Sequence, residues 1–323
     1  MKLPNLGELE QAAELVHQTL TPTAQISWPL LSLRAGAEVW VKHENHTPIG
    51  AFKVRGGLVY IDALKRQGHT NRVVAATRGN HGQSIAFAAA RAGLSSTVVV
   101  PKGNAVGKNA AMQAFGAELI EHGVDFQEAY EHALTLADGE GVTFIPSFDM
   151  GLVKGVGSYA LEFFHAVPDL HTIYVPIGLG SGACGTIAAR EALGLKTQIV
   201  GVVSENAAAY ALSFEAGKLI STNSSFSIAD GLDCRVPAAD ALEIIRTGVE
   251  RIVTVSDDEI LAAMAHYLTD THNLAEGAGA APLAALLQEQ AQMARKKVGL
   301  ILSGGNADPA LIERSLHHAA LKG

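Results

Sequence analysis

The sequence predicts an α/β fold built from two open, twisted, mainly parallel sheets with flanking helices. Short runs rich in β-branched residues alternate with longer Ala-rich runs, which is the pattern of β-α-β units. This alternation occurs in two separate blocks of the chain, and 323 residues are enough for two domains at roughly 150 residues each.

The elements follow in order along the chain. An acidic stretch at 8–20 predicts an N-terminal helix. In the first block, strands are predicted at 72–76, 97–101 and 118–121, with helices at 82–92 and 108–115. In the second block, strands are predicted at 172–177, 198–204 and 297–302, with helices at 183–193 and 207–216. A turn-rich segment at 145–151 separates the blocks, so we place a domain boundary near residue 150.

Composition and charge exclude several classes of function. The chain has 24 Lys and Arg against 32 Asp and Glu, and its net charge of −8 provides no broad positive field for nucleic acid. No apolar run reaches the roughly 18 residues that a membrane span needs, so no membrane partner is predicted. No export signal is visible at the N-terminus. Cys184 and Cys234 are predicted to be buried thiols, which fits a cytoplasmic protein.

A glycine-rich segment at 178–185 follows a predicted strand and opens a helix. Glycines let backbone N–H groups converge on an anion, and a helix N-terminus adds partial positive charge, so a phosphate is predicted here. The pattern at 180–185, with Glu205 at the end of the next strand, also fits a dinucleotide fingerprint. Tight packing of a strand against a helix is a third explanation of the same glycines.

Lys53 lies in the segment 42–57, beside Phe52 and close to several glycines. Partial desolvation of such a lysine lowers its pKa toward the free amine that a Schiff base or a general base requires. Without further context, a solvated or snorkelling lysine is the commoner explanation. His43 and His46 are one residue too close for the metal-protease pattern, so no metal is assigned to them.

Two further segments lie where a predicted strand ends. Residues 77–84 place small side chains and Asn80 at the start of a helix, which suits a carboxylate ligand or simply an N-capped turn. Ser303, in the segment 302–306, either bonds a ligand or closes a turn. Because open α/β sheets bind ligands at the carboxyl ends of their strands, we expect these segments to contribute to one site.

These four segments, in this order, resemble those of the fold-type II pyridoxal-phosphate enzymes, which share the tryptophan-synthase-β-like fold. The similarity is to the group of threonine and serine ammonia-lyases and serine racemase. Residues 50–56 resemble the cofactor-lysine motif, 77–82 the substrate-carboxylate loop, 178–182 the phosphate cup and 302–306 the pyridine-nitrogen segment. The resemblance implies a large cofactor-binding domain at 1–68 and 150–323, and a small substrate-loop domain at 69–149.

The resemblance also implies which residues hold pyridoxal 5′-phosphate. Lys53, the catalytic residue, would bind it as a Schiff base, with Phe52 beside the ring and Asn80 at the ring 3-oxygen. Ser303 would face the pyridine nitrogen, and Glu276 would lie near the cofactor. The phosphate donors would be Gly178, Leu179, Gly180, Ser181 and Gly182, and the substrate-binding residues would be Thr77, Arg78, Gly79, Asn80, His81 and Phe148.

The implied reaction removes water from a small amino-acid substrate, an L-β-hydroxy amino acid of the threonine or serine class, and yields a 2-oxo acid and ammonia. A neutral hydroxyl at the pyridine nitrogen makes the ring a weaker electron sink, which favours elimination over a long-lived carbanion. The resemblance further implies a homodimer.

The chain departs from the family pattern at several positions. Arg78 replaces a small residue, and a guanidinium that stays protonated makes racemisation poor but suits a second carboxylate, as in hydroxyaspartate. Phe148 suits an aromatic substituent, as in phenylserine. Val203 and Ala209 replace two carboxylates of a cation site, so no structural Mg²⁺ or Ca²⁺ is predicted. No regulatory domain is expected after residue 323.

Other functions stay open from the sequence. An amino-acid racemase of the same fold is one of them. A nicotinamide-dependent oxidoreductase using residues 180–185 and Glu205 is another, although it leaves Lys53 and Ser303 without roles. A metabolite-binding protein without catalysis is a third, and the presence of Lys53 argues against it.

Overall fold

The computed structural model describes residues 2–68, 71–223 and 226–322. Its helices are α1 (Leu6–His17), α2 (Pro29–Ala35), α3 (Lys53–Gln67), α4 (Asn80–Ala92), α5 (Val106–Ala114), α6 (Phe126–Leu136), α7 (Met150–Ala166), α8 (Ser181–Ala192), α9 (Ala209–Ala216), α10 (Ala239–Gly248), α11 (Asp257–Thr271), α12 (Gly277–Gln288), α13 (Gln290–Met293) and α14 (Pro309–Lys322). Its strands are β1 (Gln25–Ser27), β2 (Glu38–His43), β3 (Arg72–Ala76), β4 (Ser95–Val100), β5 (Glu118–Glu121), β6 (Val142–Phe144), β7 (Thr172–Pro176), β8 (Gln198–Ser204), β9 (Arg251–Val255) and β10 (Lys297–Leu302).

The described strands form two sheets. One sheet has six strands in the order β1-β2-β10-β7-β8-β9, and the other has four strands in the order β5-β4-β3-β6. Every pairing is parallel except that of β1 with β2. Parallel neighbours require crossover connections, and here most of these contain a helix. The predicted α/β class with two mainly parallel sheets is confirmed, whereas the domain division at 69–149 stays a prediction.

Helices cover both faces of the six-stranded sheet. Ile173 and Val175 of β7 pack into a cluster with residues of α7 and α8. Tyr174, whose side chain points to the opposite face, packs with residues of α11 and α12. The inner strands β7, β8 and β10 are therefore buried on both faces, which explains their near-continuous apolar runs.

About half of the predicted element boundaries are confirmed, and the others shift by one to three residues. Helix α4 begins at Asn80 rather than at residue 82, and a Cβ on Gly82 would lie 2.5 Å from the Met112 sulfur. Gly82 therefore permits close packing of α5 and does not mark the helix start. Helix α9 begins at Ala209 rather than at residue 207, because Glu205–Ala207 forms a separate 3₁₀ helix. Strand β4 spans Ser95–Val100 instead of 97–101.

The carboxyl ends of three central strands lie side by side. In the parallel pairing of β10 with β2, Leu302 is opposite His43, and β10 also pairs with β7 on its other side. The segments that follow Leu302 and Pro176 therefore leave the six-stranded sheet at one edge, where a ligand is expected.

Helix α3 contacts α4 and α7 closely because glycines lie at both contacts. A Cβ on Gly155 of α7 would lie 2.2 Å from the Arg55 carbonyl oxygen. A Cβ on Gly57 of α3 would lie 2.2 Å from the Ser84 hydroxyl of α4. No side chain larger than hydrogen fits these places, so the contacts fix the first turns of α3 and the position of Lys53 at its start.

Both cysteines are buried free thiols, as the sequence predicts. Cys184 and Cys234 belong to one hydrophobic cluster beside the six-stranded sheet. In the part of the chain that the structure describes, no helix has both the length and the apolar character that a membrane crossing requires.

The contact between α3 and α7 predicts a large effect of one methyl group. Gly155→Ala should lower the free energy of unfolding by about 3 kcal/mol, because the new Cβ overlaps the backbone of Arg55. Equilibrium unfolding in guanidinium measures this change. Gly107→Ala is the matched control, since no atom lies within 4 Å of its Cβ position, and it should change stability by less than about 0.5 kcal/mol. Equal stability of both variants would show that the helices separate without cost.

Candidate active site

Lys53 is the first residue of α3, and its amine lies among apolar and hydroxyl groups. The Nζ atom donates a hydrogen bond to Ser181 Oγ at 3.0 Å and lies 5.1 Å from the centroid of the Phe52 ring. Burial lowers the pKa of Lys53 to about 8. A minor but significant fraction of this amine is therefore neutral near physiological pH, and the neutral form is the state that a nucleophile or a proton acceptor requires.

A buried ionic cluster, formed by Lys42, Glu44, Arg55 and Glu162, holds α3 in place. The Arg55 guanidinium has no exposed surface and donates two hydrogen bonds to Glu44, at 2.7 and 2.9 Å. It also donates two hydrogen bonds to Glu162, at 2.6 and 2.9 Å. Lys42 donates to the same Glu162 carboxylate and has no exposed surface either. The cluster joins the end of β2, the following 3₁₀ helix, α3 and α7.

Electrostatics explains why these buried groups stay charged. Burial alone would raise the pKa of Glu162, but hydrogen bonds and the positive charges of Arg55 and Lys42 lower it to about 2. This cluster could not be predicted from the sequence, because its members lie far apart along the chain without any periodic spacing. The only local signal was the occurrence of several charged residues within the Lys53 segment.

The glycine-rich loop after β7 forms an open helix N-terminus. Gly180 has φ +98°, and a Cβ on Gly178 would lie 2.2 Å from the Gly231 carbonyl oxygen, so both positions require glycine. No side chain caps the first turn of α8. The N–H groups of Ser181 and Gly182 have no acceptor within the helix, which makes this end of α8 suitable for an anion.

Two tyrosine hydroxyls hold the glycine-rich loop by hydrogen bonds to its carbonyl oxygens. The Tyr159 hydroxyl donates to the Gly182 carbonyl oxygen at 2.9 Å, and the Tyr210 hydroxyl donates to that of Leu179 at 2.9 Å. The ring of Phe52 meets Tyr159 edge-on, with 6.0 Å between centroids. Lys53, Phe52 and the glycine-rich loop are thus brought together as predicted, whereas Tyr159 and Tyr210 were missed.

The loop after β3 leads directly into α4. The Gly79 N–H donates to Thr77 Oγ1 at 3.0 Å, and no side chain caps α4. His81 is buried, and burial together with the charge of Lys53 lowers its pKa to about 3, so its ring is neutral. Arg78 is exposed and has no ion-pair partner among the residues described. The loop therefore combines a free helix N-terminus with one unpaired cation.

Asn80 and Glu276 were predicted from distant segments, and they are hydrogen-bonded. Asn80 Nδ2 donates to Glu276 Oε1 at 2.8 Å, and Asn80 Oδ1 accepts from Asn306 Nδ2 at 2.7 Å. Burial raises the pKa of Glu276 to about 7, against the lowering effects of the Lys108 charge and the Asn80 hydrogen bond. The roles of Asn306 and Lys108 were not predicted.

Ser303 follows β10 and lies next to the start of α3. Its carbonyl oxygen accepts the Phe52 N–H at 3.0 Å, and the adjacent Gly304 forms a bridge with Ala51. The side chain is buried, yet within the described residues its hydroxyl has no hydrogen-bond partner. The hydroxyl oxygen does not belong to the fully buried, unpartnered polar atoms of the described residues, so it keeps some accessible surface and can bond a ligand atom.

Two further predictions concern the substrate role of Phe148 and the structural cation near Val203 and Ala209. Phe148 is partly buried against the core beside the six-stranded sheet, immediately before α7, and its substrate role stays a prediction. Val203 and Ala209 are both fully buried. In the described ranges, no group of three or more metal-binding side chains lies close together, and the expected absence of a structural cation stays a prediction.

Comparison with known proteins identifies the family of these segments. Residues 16–304 match the family described as pyridoxal-phosphate-dependent enzyme. The chain is 31% identical over 318 residues to L-threonine ammonia-lyase of Thermotoga maritima, covering 98% of this chain and 79% of that protein. It is 31% identical over 310 residues to L-threo-3-hydroxyaspartate ammonia-lyase of Saccharomyces cerevisiae, covering 95% of each. The solved structure of a pyridoxal 5′-phosphate-dependent aspartate racemase superposes with a TM-score of 0.89 at 30% identity, covering 94% of this chain and 96% of that one.

The environment of Lys53 predicts a distinctive pH dependence of its reactivity. In the cofactor-free protein, acylation of Lys53 by an amine reagent should be half-maximal near pH 8, because the amine is protonated below that pH and nucleophilic above it. Mass spectrometry of peptides labelled over a pH series measures this, with exposed Lys102 as the reference in each digest. A half-point near the usual lysine value of about 10.4 would contradict the lowered pKa.

Proposed function

Because this chain belongs to the pyridoxal-phosphate-dependent enzymes and is an ammonia-lyase, we propose that it acts on an L-β-hydroxy amino acid with a second carboxylate. The net products are a 2-oxo acid and ammonia, because the water lost from the β-carbon is taken up again when the released enamine hydrolyses. The observation that carries this choice is Arg78, an exposed guanidinium without an ion-pair partner among the residues described, in the loop that leads into α4.

The residues around Lys53 fit the cofactor. Lys53 would hold the cofactor's carbonyl carbon, and the open N-terminus of α8 at Ser181 would hold its phosphate. Asn80 would bond the ring oxygen, and the unpartnered hydroxyl of Ser303 would face the ring nitrogen. When bound, pyridoxal phosphate withdraws electrons from the substrate Cα and so acidifies its proton.

Lys53 is the group that would remove the Cα proton. Its amine is neutral in part near physiological pH, because burial lowers its pKa to about 8 and no carboxylate contacts it. Ser181 Oγ accepts a hydrogen bond from Nζ and so fixes the direction of the amine. A base with a pKa close to the working pH accepts a proton and later returns it at comparable rates.

Ser303 and Arg78 support elimination rather than racemisation. A neutral hydroxyl at the ring nitrogen does not hold that nitrogen protonated, so loss of the β-hydroxyl is the easier outcome. Racemisation needs a second acid–base group, and the guanidinium of Arg78 stays protonated near neutral pH. The alternative of an amino-acid racemase is therefore less well supported, and the nicotinamide alternative leaves Lys53 without a role.

Arg78 supports hydroxyaspartate as the preferred substrate. The backbone N–H groups at the start of α4 would bind the α-carboxylate, as helix N-termini bind anions. A second carboxylate would then pair with the Arg78 guanidinium. L-threo-3-hydroxyaspartate is the substrate in the name of the yeast relative. Threonine and serine are the next candidates, and Phe148 supports phenylserine as a further one.

The organisation of the protein is proposed from the same resemblance. Residues 69–149 would form the small substrate-loop domain, and residues 1–68 and 150–323 the large cofactor-binding domain. We also propose a cytoplasmic homodimer that needs no structural cation at Val203 and Ala209.

Replacement of the catalytic lysine tests the reaction directly. Lys53→Ala should reduce formation of 2-oxo acid and ammonia by more than about 10³-fold, because it removes both the covalent attachment and the proton acceptor. The measurement is product formation from L-threo-3-hydroxyaspartate, threonine, serine and phenylserine with saturating cofactor. Lys102→Ala, at an exposed site, is the control and should keep full activity. Unchanged turnover in Lys53→Ala would refute the proposal.

A second variant tests the choice of substrate. Arg78→Ser should lower kcat/KM for L-threo-3-hydroxyaspartate by about tenfold, which corresponds to the loss of one charged hydrogen bond of about 1.4 kcal/mol. The same substitution should leave kcat/KM for threonine within about twofold, since threonine offers no second carboxylate. Equal losses on both substrates would mean that Arg78 does not read the side chain.

A further inference from the structure

Lys108 links the four-stranded sheet to the six-stranded sheet beside the candidate site. It lies on α5, and its Nζ atom is 2.5 Å from Asp230 Oδ2. Asp230 begins a 3₁₀ helix whose Leu232 is buried in the core of the six-stranded sheet. The Lys108 side chain is only 12% exposed, whereas the Asp230 side chain is 44% exposed, so the pair is shielded from solvent on the lysine side only.

The two partners contact two different loops of the candidate site. The Lys108 stem passes along Gly79, where a Cβ would lie 3.1 Å from Lys108 Cδ. On the other side, the Gly231 carbonyl oxygen, next to Asp230, lies against Gly178 of the glycine-rich loop. The ion pair therefore connects the loop after β3 with the loop after β7 through direct contacts.

We propose that Lys108 is a positioning residue for the elimination reaction. Through its ion pair with Asp230, Lys108 holds the loop after β3, which contains Gly79, against the six-stranded sheet. This inference rests on the proposed function for its kinetic consequence, but not for its structural one. Lys108 does not contact Lys53, and it acts on the substrate through the position of the loop.

Lys108 also acts on the protonation of Glu276, because both residues line the same cavity. A cavity of about 240 Å³ is lined by Lys108, Asp230, Glu276 and Asn306 among other residues. Burial would lower the pKa of Lys108, but Asp230, Glu276 and Asp308 raise it above its usual value, so the ammonium stays charged. The groups that act on Glu276 are the Lys108 ammonium, the Asp230 carboxylate, the Asn80 amide and the backbone of Asn306.

Removal of the Lys108 ammonium should raise the pKa of Glu276. Lys108 lowers the pKa of Glu276, which burial has raised to about 7. Without Lys108 the carboxyl group would stay protonated to a higher pH, and the neutral form accepts the Asn80 hydrogen bond less strongly. The pH below which the hydrogen bond of Asn80 to Glu276 weakens should therefore be higher in a variant without Lys108.

Lys108→Met tests the positioning role in the holoenzyme. KM for the best substrate should rise about tenfold, with a smaller change in kcat, because the loop binds the substrate carboxylate less well. Hydrogen exchange at the amides of residues 79–83 should be faster without substrate, because the loop is no longer held. Lys108→Arg, which keeps the charge, should restore most of both properties.

Control variants separate the ion pair from general damage. Asp230→Asn, at a position 44% exposed, should reproduce both effects, and the double variant should be no worse than either single one. Lys102→Met, at an exposed lysine six positions earlier in the chain, should change neither. If the wild type eliminates no water from any substrate, the proposed function fails, and the exchange measurement still decides the positioning role. Unchanged exchange in Lys108→Met, or unchanged KM in an active enzyme, would overturn the inference.

Discussion

The burial of one guanidinium constrains the whole arrangement around the candidate site. Arg55 has no exposed surface, and a buried charge is tolerated only when it is paired and its hydrogen-bond donors are satisfied. Glu44 and Glu162 supply those partners from two different elements. The end of β2, the start of α3 and the middle of α7 must therefore keep fixed relative positions. Lys53 lies two residues before Arg55, so its placement depends on the same pairing.

The carboxylates of the buried ionic cluster pair with Arg55 and Lys42 and not with the reactive amine of Lys53. The carboxylates of the buried ionic cluster surround Arg55 and Lys42, whereas Lys53 contacts a hydroxyl and an aromatic ring. Burial alone accounts for the lowered pKa of Lys53. A carboxylate beside the amine would have raised that pKa and kept the group protonated. Lys42 of the same segment differs in its partners, since it donates to Glu162, although burial lowers its pKa too.

Local patterns predicted the central strands β7, β8 and β10 and the strands β3, β4 and β5, but they did not predict β1, β2, β6 or β9. Helices α3 and α7, which carry Arg55 and Glu162, were not predicted either. Gly178 and Ser303 each follow a predicted strand. Because the carboxyl ends of parallel strands lie at the same edge of a sheet, both residues could be placed at one edge. Pairings between distant segments could not be predicted in the same way. The hydrogen bond of Asn80 to Glu276 and the ion pair of Arg55 with Glu162 depend on how helices pack, and no periodicity encodes them. Gly82 was misleading because a glycine needed for packing resembles one that ends a turn.

The reactivity of the two buried thiols depends on whether the surrounding hydrophobic core is closed or open. Cys184 and Cys234 are the 2 cysteines of the sequence, and both lie in the hydrophobic cluster beside the six-stranded sheet. Burial raises the pKa of both thiols, to about 12 for Cys234, so the reactive thiolate is scarce in the folded state. Alkylating reagents therefore reach these sulfurs only when that core opens. The rate at which these two native thiols are alkylated should therefore report the opening of this core without any substitution in the chain.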